Sequence, residues 1–320
     1  MTTTDIPSPE EVTLEQLEFA TTASGRRIAF SQLGAADGQP LIYAHGFPSS
    51  RREAWLLRDA ARAVGARVIS LDRPGYGDSD PDPKRRITDW PDDVLCVADA
   101  LGLERFGLIG VSGGGPYVLA CAWRLAQAEA ESQSLEPQGL QGRLTRCGLV
   151  CPLGPIYRDE QLEQMHWAAR TNLRIGRQGD WLTDLVFGGP TTAMLERWPA
   201  LVENTRSLVA PAADRAVLAE PETNAVLNRT IADAMRNGAP GARRDLYLYT
   251  HDWDIDFQRI ALPIRLWHGQ ADGTVSIDHA RWYAEQLPHA TLTELADEGH
   301  YSVPFRYSRA ILAELIEPVT

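Results

Sequence analysis

At 320 residues, 44% of them hydrophobic and 23% charged, the chain can bury roughly three quarters of the surface its unfolded form exposes. It needs neither disulfides nor a metal to fold, and wholesale disorder is excluded. A net charge of -12, from 43 acidic and 31 basic residues, argues against nucleic acid as a partner, because phosphate binding draws on clustered Lys and Arg.

The opening segment, MTTTDIPSPEEVTLEQLE, has neither a positive n-region nor an apolar h-region. No secretory signal is expected, and residues 1–24 read as an N-terminal extension. Ile28 to Leu33 and Leu41 to His45 read as strands. Glu53 to Val64 carries apolar residues at Trp55, Leu56, Ala60 and Val64, the helical period. Val68 to Leu71 is a further strand, and Asp93 to Leu101 a helix through Val94, Val97, Ala98 and Leu101. Phe106 to Val111 and Cys147 to Cys151 are apolar throughout, as strands buried on both faces are. Leu108 to Leu125 could mimic a membrane span. Three consecutive glycines, Ser112 and Pro116 at its middle make strand, turn and helix the better reading, so no membrane partner is expected. Residues 127–142, rich in Gln, Glu, Ser and Gly, read as a surface insertion.

Cys147 and Cys151, four residues apart in a strand, stand about 13 Å from one another, beyond the ~7 Å limit for a disulfide. No CxxC pair suggests zinc. Four reduced thiols in a cytoplasmic protein are expected.

From Pro152 to Asp256 no strand is evident. Helical patterns run over Glu160 to Ile175, Trp181 to Phe187, Thr191 to Leu208 and Thr223 to Met235. Strands return at Ile264 to His268 and Thr291 to Leu295, helices at Asp278 to Leu287 and Ser302 to Ile316. The alternation predicts an α/β fold with a mostly parallel sheet of about eight strands. Its core comprises residues 25–151 and 257–320, interrupted by a helical cap over 152–256.

The strand Phe106 to Val111 runs into Gly110-Val111-Ser112-Gly113-Gly114-Gly115, and a helix follows from Pro116. This is GxSxG in strand, turn, helix context, which lifts a serine hydroxyl out of a sheet on a strained turn. Side chains at Gly110 and Gly114 would clash with the neighbouring strand and helix. The N–H of Gly113, at a helix N-terminus, can stabilise a developing oxyanion. A nucleophilic serine needs a base and an orienter, in the chain order Ser, acid, His. Asp272, just past a strand in His268-Gly269-Gln270-Ala271-Asp272, and His300, in Glu298-Gly299-His300-Tyr301-Ser302, supply them. Both fall at strand C-termini, where open parallel sheets gather their sites. The second oxyanion donor is the N–H of Phe47, in the loop His45-Gly46-Phe47-Pro48. His45 reads as a structural brace of that loop. The tight loop Asp72-Arg73-Pro74-Gly75-Tyr76-Gly77 reads first as a turn braced by Asp72, and second as one that brings Arg73 or Tyr76 near the site. Lys84-Arg85-Arg86 reads as a solvated basic run. The tryptophans of the helical block read equally as pocket lining or as packing.

HGFPSSR (45–51), DRPGYGDS (72–79), GVSGGGPY (110–117), HGQAD (268–272) and EGHYS (298–302) together resemble the landmarks of the α/β-hydrolase superfamily, over about residues 25 to 315. They look like those of bacterial esterases and lipases with a helical cap. The resemblance implies Ser112 as nucleophile, Asp272 as acid and His300 as base, with Phe47 and Gly113 as oxyanion donors. The superfamily's haloalkane dehalogenases and epoxide hydrolases carry an aspartate at the elbow, and Ser112 argues against both. The expected function is hydrolysis of a small, largely apolar carboxylic ester, with no cofactor and no metal. An amide or C–C bond, or ligand binding with little turnover, are the alternatives. The sequence defines no oligomeric state.

Overall fold

The structure is a computed structural model that describes residues 16–130, 139–165 and 210–316, with isolated positions between 170 and 198. Eight strands form one sheet: β1 (Glu18–Thr21), β2 (Arg27–Gly34), β3 (Gln39–Ala44), β4 (Ala66–Leu71), β5 (Phe106–Val111), β6 (Leu144–Val150), β7 (Ile264–Gly269) and β8 (Ala290–Leu295). Their order is β1-β2-β4-β3-β5-β6-β7-β8. β2 is antiparallel to both β1 and β4, and every other pair is parallel.

Helices cover both faces, so the central strands are apolar on both sides. Leu41 and Tyr43 of β3 pack on the side of α1 (Arg58–Val64) and the C-terminal helix α10 (Ser308–Ile316). Ile42 and Ala44 of the same strand face α2 (Trp90–Ala100) and α3 (Gly115–Ala130), the period of two expected of a strand. All six residues of β5 are buried.

Seven of the strands lie where the apolar runs place them. The eighth, β1, lies inside the segment read as an extension; four residues at a sheet edge carry too little alternation to be seen. The insertion read over 127–142 begins inside α3, which continues to Ala130; Gln127 to Ala130 are strong helix formers that extend it. The helix expected over Glu160 to Ile175 starts as α4 (Asp159–Glu163), which closes in a turn at Gln164–Met165; the described positions 170, 171, 173 and 174 are helical again. Those expected at Trp181 to Phe187 and Thr191 to Leu208 lie outside the described residues, apart from isolated positions. Three helices follow: α5 (Ala212–Leu218), α6 (Pro221–Met235) and α7 (Pro240–Tyr249). α8 (Ile277–Gln286) lies between β7 and β8. The long helix expected from Ser302 is two, α9 (Ser302–Arg306) and α10, separated at Tyr307.

The chain runs from β3 outward to β4, then returns to place β5 on the other side of β3. The loops leaving β3 and β5 therefore diverge at a switch point, where open α/β sheets form their crevice. Register makes this local: Ala44 pairs with Gly110, so two residues further on Gly46 stands beside Ser112.

Candidate active site

Ser112 leaves β5 with φ 53°, a left-handed conformation that non-glycine residues avoid. It opens a 3-10 turn, Ser112–Gly114, that feeds α3. The turn fits because two glycines flank it. A Cβ on Gly114 would lie 2.1 Å from the carbonyl oxygen of Ala44, and one on Gly110 2.7 Å from that of Gly114. These are backbone contacts with nowhere to yield, so Gly114→Ala is expected to cost at least about 3 kcal/mol. Urea unfolding would show this as a lowered midpoint; an unchanged midpoint would mean the turn tolerates a side chain.

Asp272 and His300 lie together. His300 Nδ1 donates to Asp272 Oδ2 at 2.7 Å. Asp272 Oδ1 accepts the backbone N–H groups of Thr274 and Val275, both at 2.8 Å, and His268 Nε2 stands 3.1 Å from Oδ2. Burial opposes ionisation of Asp272, but the charge of His300 and the hydrogen bonds of both histidines hold its carboxyl well below the usual carboxylate range. Burial likewise opposes protonation of His300; the carboxylate of Asp272, then those of Asp214 and Glu53, reverse this and raise its pKa.

His300 and Ser112 line one cleft, of about 410 Å³ with its open mouth. Ser112 Oγ makes no hydrogen bond among the described residues, while His300 is bonded to Asp272.

The loop bearing His300 is pinned from a distance. Asp214, on α5, accepts the N–H groups of His300, Tyr301 and Ser302 at 2.8, 2.9 and 2.8 Å. It lies 86 residues before His300 in no motif, so sequence reasoning missed it. Asp214→Asn would turn an amide N–H toward these donors and remove one of the charges that raise the His300 pKa. Turnover is expected to fall about 10-fold, with the acidic limb of the pH–rate profile moved to lower pH. An unmoved limb would confine Asp214 to a structural role.

The N–H groups of Phe47 and Gly113 find no acceptor among the described residues. The two residues adjoin: a Cβ on Gly113 would meet that of Phe47 at 2.8 Å. Phe47, Pro48, Leu227, Tyr301, Pro304 and Phe305 give the cleft its apolar wall, and Glu53, Ser49 and Thr230 a polar one. Leu227 and Thr230 come from α6. No tryptophan is among the described lining. Trp253 is buried against Tyr157, at 5.4 Å between rings, and Trp198 is exposed, while Trp167, Trp181 and His166 lie outside the described residues.

His45 is fully buried and kept neutral by burial. Its Nδ1 donates to the Gly46 carbonyl at 2.9 Å, the bracing role read for it. Asp72 braces its turn through the N–H groups of Arg51 and Asp78. Arg73, one residue on, reaches the loop after β3, so both readings of this segment hold. Arg85 departs from expectation. It is 4% exposed and paired with Asp245, a partner 160 residues away that no local pattern discloses. Cys151, His268 and Asp272 hold the one grouping of metal-ligating atoms among the described residues, all within 4.8 Å. The Asp272 carboxylate already accepts four protein donors there, and burial pushes the Cys151 thiol up.

A mixed sheet with its serine turn at the switch point, and an acid–histidine pair on the same rim, define an enzyme of the hydrolase class. The chain belongs to the alpha/beta hydrolase family, whose model matches residues 41–314. It is 33% identical over 117 residues to the dihydrolipoyllysine-residue acetyltransferase component of an acetoin cleaving system from Pseudomonas putida, covering 36% of this chain and 31% of that protein. It is 31% identical over 137 residues to a non-heme chloroperoxidase from Streptomyces lividans, covering 42% and 45%. The matches thus span less than half the length of either relative. An esterase from Exiguobacterium antarcticum superposes with a TM-score of 0.65 at 16% identity, over 93% of this chain and 99% of that one, a likeness of fold alone. No helix among the described residues is long and apolar enough to cross a membrane.

Proposed function

We propose that this hydrolase cleaves small, largely apolar carboxylic esters through an acyl-enzyme on Ser112. His300 takes the serine proton through Nε2 as Oγ attacks the ester carbonyl. Asp272 fixes the ring by its Nδ1 proton and stabilises the imidazolium. The oxyanion rests on the N–H groups of Phe47 and Gly113. His300 then protonates the departing alcohol and activates the water that releases the acid. In this reading the helical segment over 152–256 is a cap, and α6 lends the cleft one wall. Four free cysteines favour a reducing compartment, consistent with the cytoplasm.

One observation carries the proposal. His300, bonded to Asp272 at 2.7 Å, lines the same cleft as the strained Ser112 and as Phe47, and Gly113 adjoins Phe47. The cleft's modest size and the apolar side chains of Phe47, Leu227, Pro304 and Phe305 in its wall support a short acyl chain. Turnover of p-nitrophenyl esters graded from acetate to decanoate is expected to be highest at the short end. Amide and diketone substrates assayed alongside test the bond. A protein that reacts with a fluorophosphonate yet turns over none of these would be a ligand-binding relative instead.

A further inference from the structure

A buried cation stands behind the peptide that bears one of the two unpartnered donors. Arg73 is 0% exposed. Its Nη2 donates to the Gly46 carbonyl at 3.0 Å and its Nη1 to the His45 carbonyl. The Gly46 carbonyl and the Phe47 N–H belong to one peptide unit. Its oxygen end is fixed on a guanidinium, while its N–H end, on the cleft-lining Phe47, has no acceptor among the described residues. Gly46's own N–H is held at 2.7 Å by Glu53 Oε2. Opposite buried charges thus grip the residue before the donor.

Charge accounting shows that Arg73 is not needed merely to neutralise its partner. Asp245, on α7 and fully buried, meets Arg73 Nε and Nη2 at 3.1 and 2.9 Å through Oδ2, and Arg85 through Oδ1. The hydroxyls of Tyr76 and Tyr117 also donate to it, that of Tyr249 stands 3.1 Å away with the Gly113 carbonyl as its nearer acceptor, and burial keeps all three protonated. His45 is held neutral. Arg85 alone would balance Asp245, so Arg73 is free to serve the loop it touches, where Glu53 faces it across Gly46. Glu53 is the carboxylate across Gly46, and burial raises its pKa.

We propose that Arg73 is a positioning residue for oxyanion stabilisation: it holds and polarises the Gly46–Phe47 peptide so that the Phe47 N–H meets the charge that develops on the substrate carbonyl. A cation bonded to an amide oxygen strengthens the same amide as a donor. A positive charge in a low-dielectric interior favours a negative one forming nearby. Tyr249 supports the other side. Its hydroxyl lies 2.8 Å from the Gly113 carbonyl oxygen, and its ring packs edge-on against Phe47 at 5.4 Å. This role rests on the serine-hydrolase reading and deepens it.

Arg73→Met leaves Arg85 and Asp245 as a balanced pair, while Arg73→Lys keeps the charge and loses the fork. The readouts are kcat and KM on a p-nitrophenyl ester, and the affinity of a boronic acid that forms a tetrahedral adduct with Ser112. Arg73→Met is expected to lower kcat about 100-fold at near-constant KM, and to weaken the boronic acid by the same factor. Arg73→Lys is expected to recover part of that loss. Arg85→Met breaks the same cluster without touching the loop, so it should lower the unfolding midpoint comparably and kcat much less. A folded Arg73→Met enzyme with wild-type kcat and boronic acid affinity overturns the proposal. So do equal losses of kcat in the two methionine variants, the mark of a merely structural ion pair.

Should the variants not fold, the unsubstituted protein decides. Gly-Phe occurs once in the sequence, at 46–47, so carbonyl-¹³C glycine with ¹⁵N phenylalanine marks this peptide alone. Its amide proton is expected to move well downfield when the boronic acid binds, and a resonance that stays in place overturns the proposal. Failure of the hydrolase reading looks different: the unsubstituted protein would take up neither fluorophosphonate nor boronic acid.

Discussion

Ser112→Ala is expected to lower ester turnover by roughly 10⁶-fold and to abolish covalent labelling by a fluorophosphonate. The size follows from the division of labour. Nucleophile and base act as a unit, so losing either removes the covalent route entirely and leaves only what binding and the oxyanion donors supply. The variant should fold, because Ser112 Oγ makes no hydrogen bond among the described residues and the backbone keeps its left-handed turn. Its carbonyl, which accepts the Leu153 N–H at 3.0 Å, is untouched. Intact-mass analysis after labelling gives a clear readout: one adduct on the unsubstituted protein, none on the variant. Turnover that survives in Ser112→Ala would place the chemistry on another residue.

Asp272→Asn should cost about 10⁴-fold in kcat, because the ring then loses the acceptor that fixes its tautomer. The sign of its pH effect is determined as well. His300 works as a base only when neutral, so activity falls as pH drops through its raised pKa. The carboxylate of Asp272 is the largest of the influences that raise it. With asparagine there, the His300 pKa falls and the acidic limb moves to lower pH, even as the plateau drops. Asp214 and Glu53, whose charges add to that of Asp272, remain in place, so the limb should not reach the value of an isolated buried histidine. A drop in rate without movement of the limb would mean that Asp272 orients His300 but does not stabilise its charge.

Much of this site could be read in one dimension because its chemistry is written in local turns. GVSGGG specifies a strand, a strained serine and a helix start within six residues, and steric demand at Gly110 and Gly114 makes that pattern informative. Asp272 and His300 were placed on the rim because each follows an apolar run that had to be a strand. His300 and Asp272 are in side-chain contact; their catalytic roles rest on the experiments above. Other features carried no such signature. β1 is too short to alternate visibly, and Tyr307 separates two helices that share one apolar periodicity. Arg85 sits in a run that looks solvated, and only its distant partner shows otherwise.

The sequence by itself determined the alternation of strands and helices, the direction of the sheet and the order in which serine, acid and histidine arrive at one rim. These follow from hydrophobic period and turn sterics, which act over a few residues. Only the tertiary structure decided what surrounds that rim: Asp214 beneath the histidine loop, Asp245 between two arginines, Arg73 on the Gly46 carbonyl, and Glu53 on its N–H. Buried charges find partners through space, across 86 or 172 residues of chain. The energy that selects those partners is desolvation, which depends on what the finished fold has closed off from water and not on neighbours in the sequence.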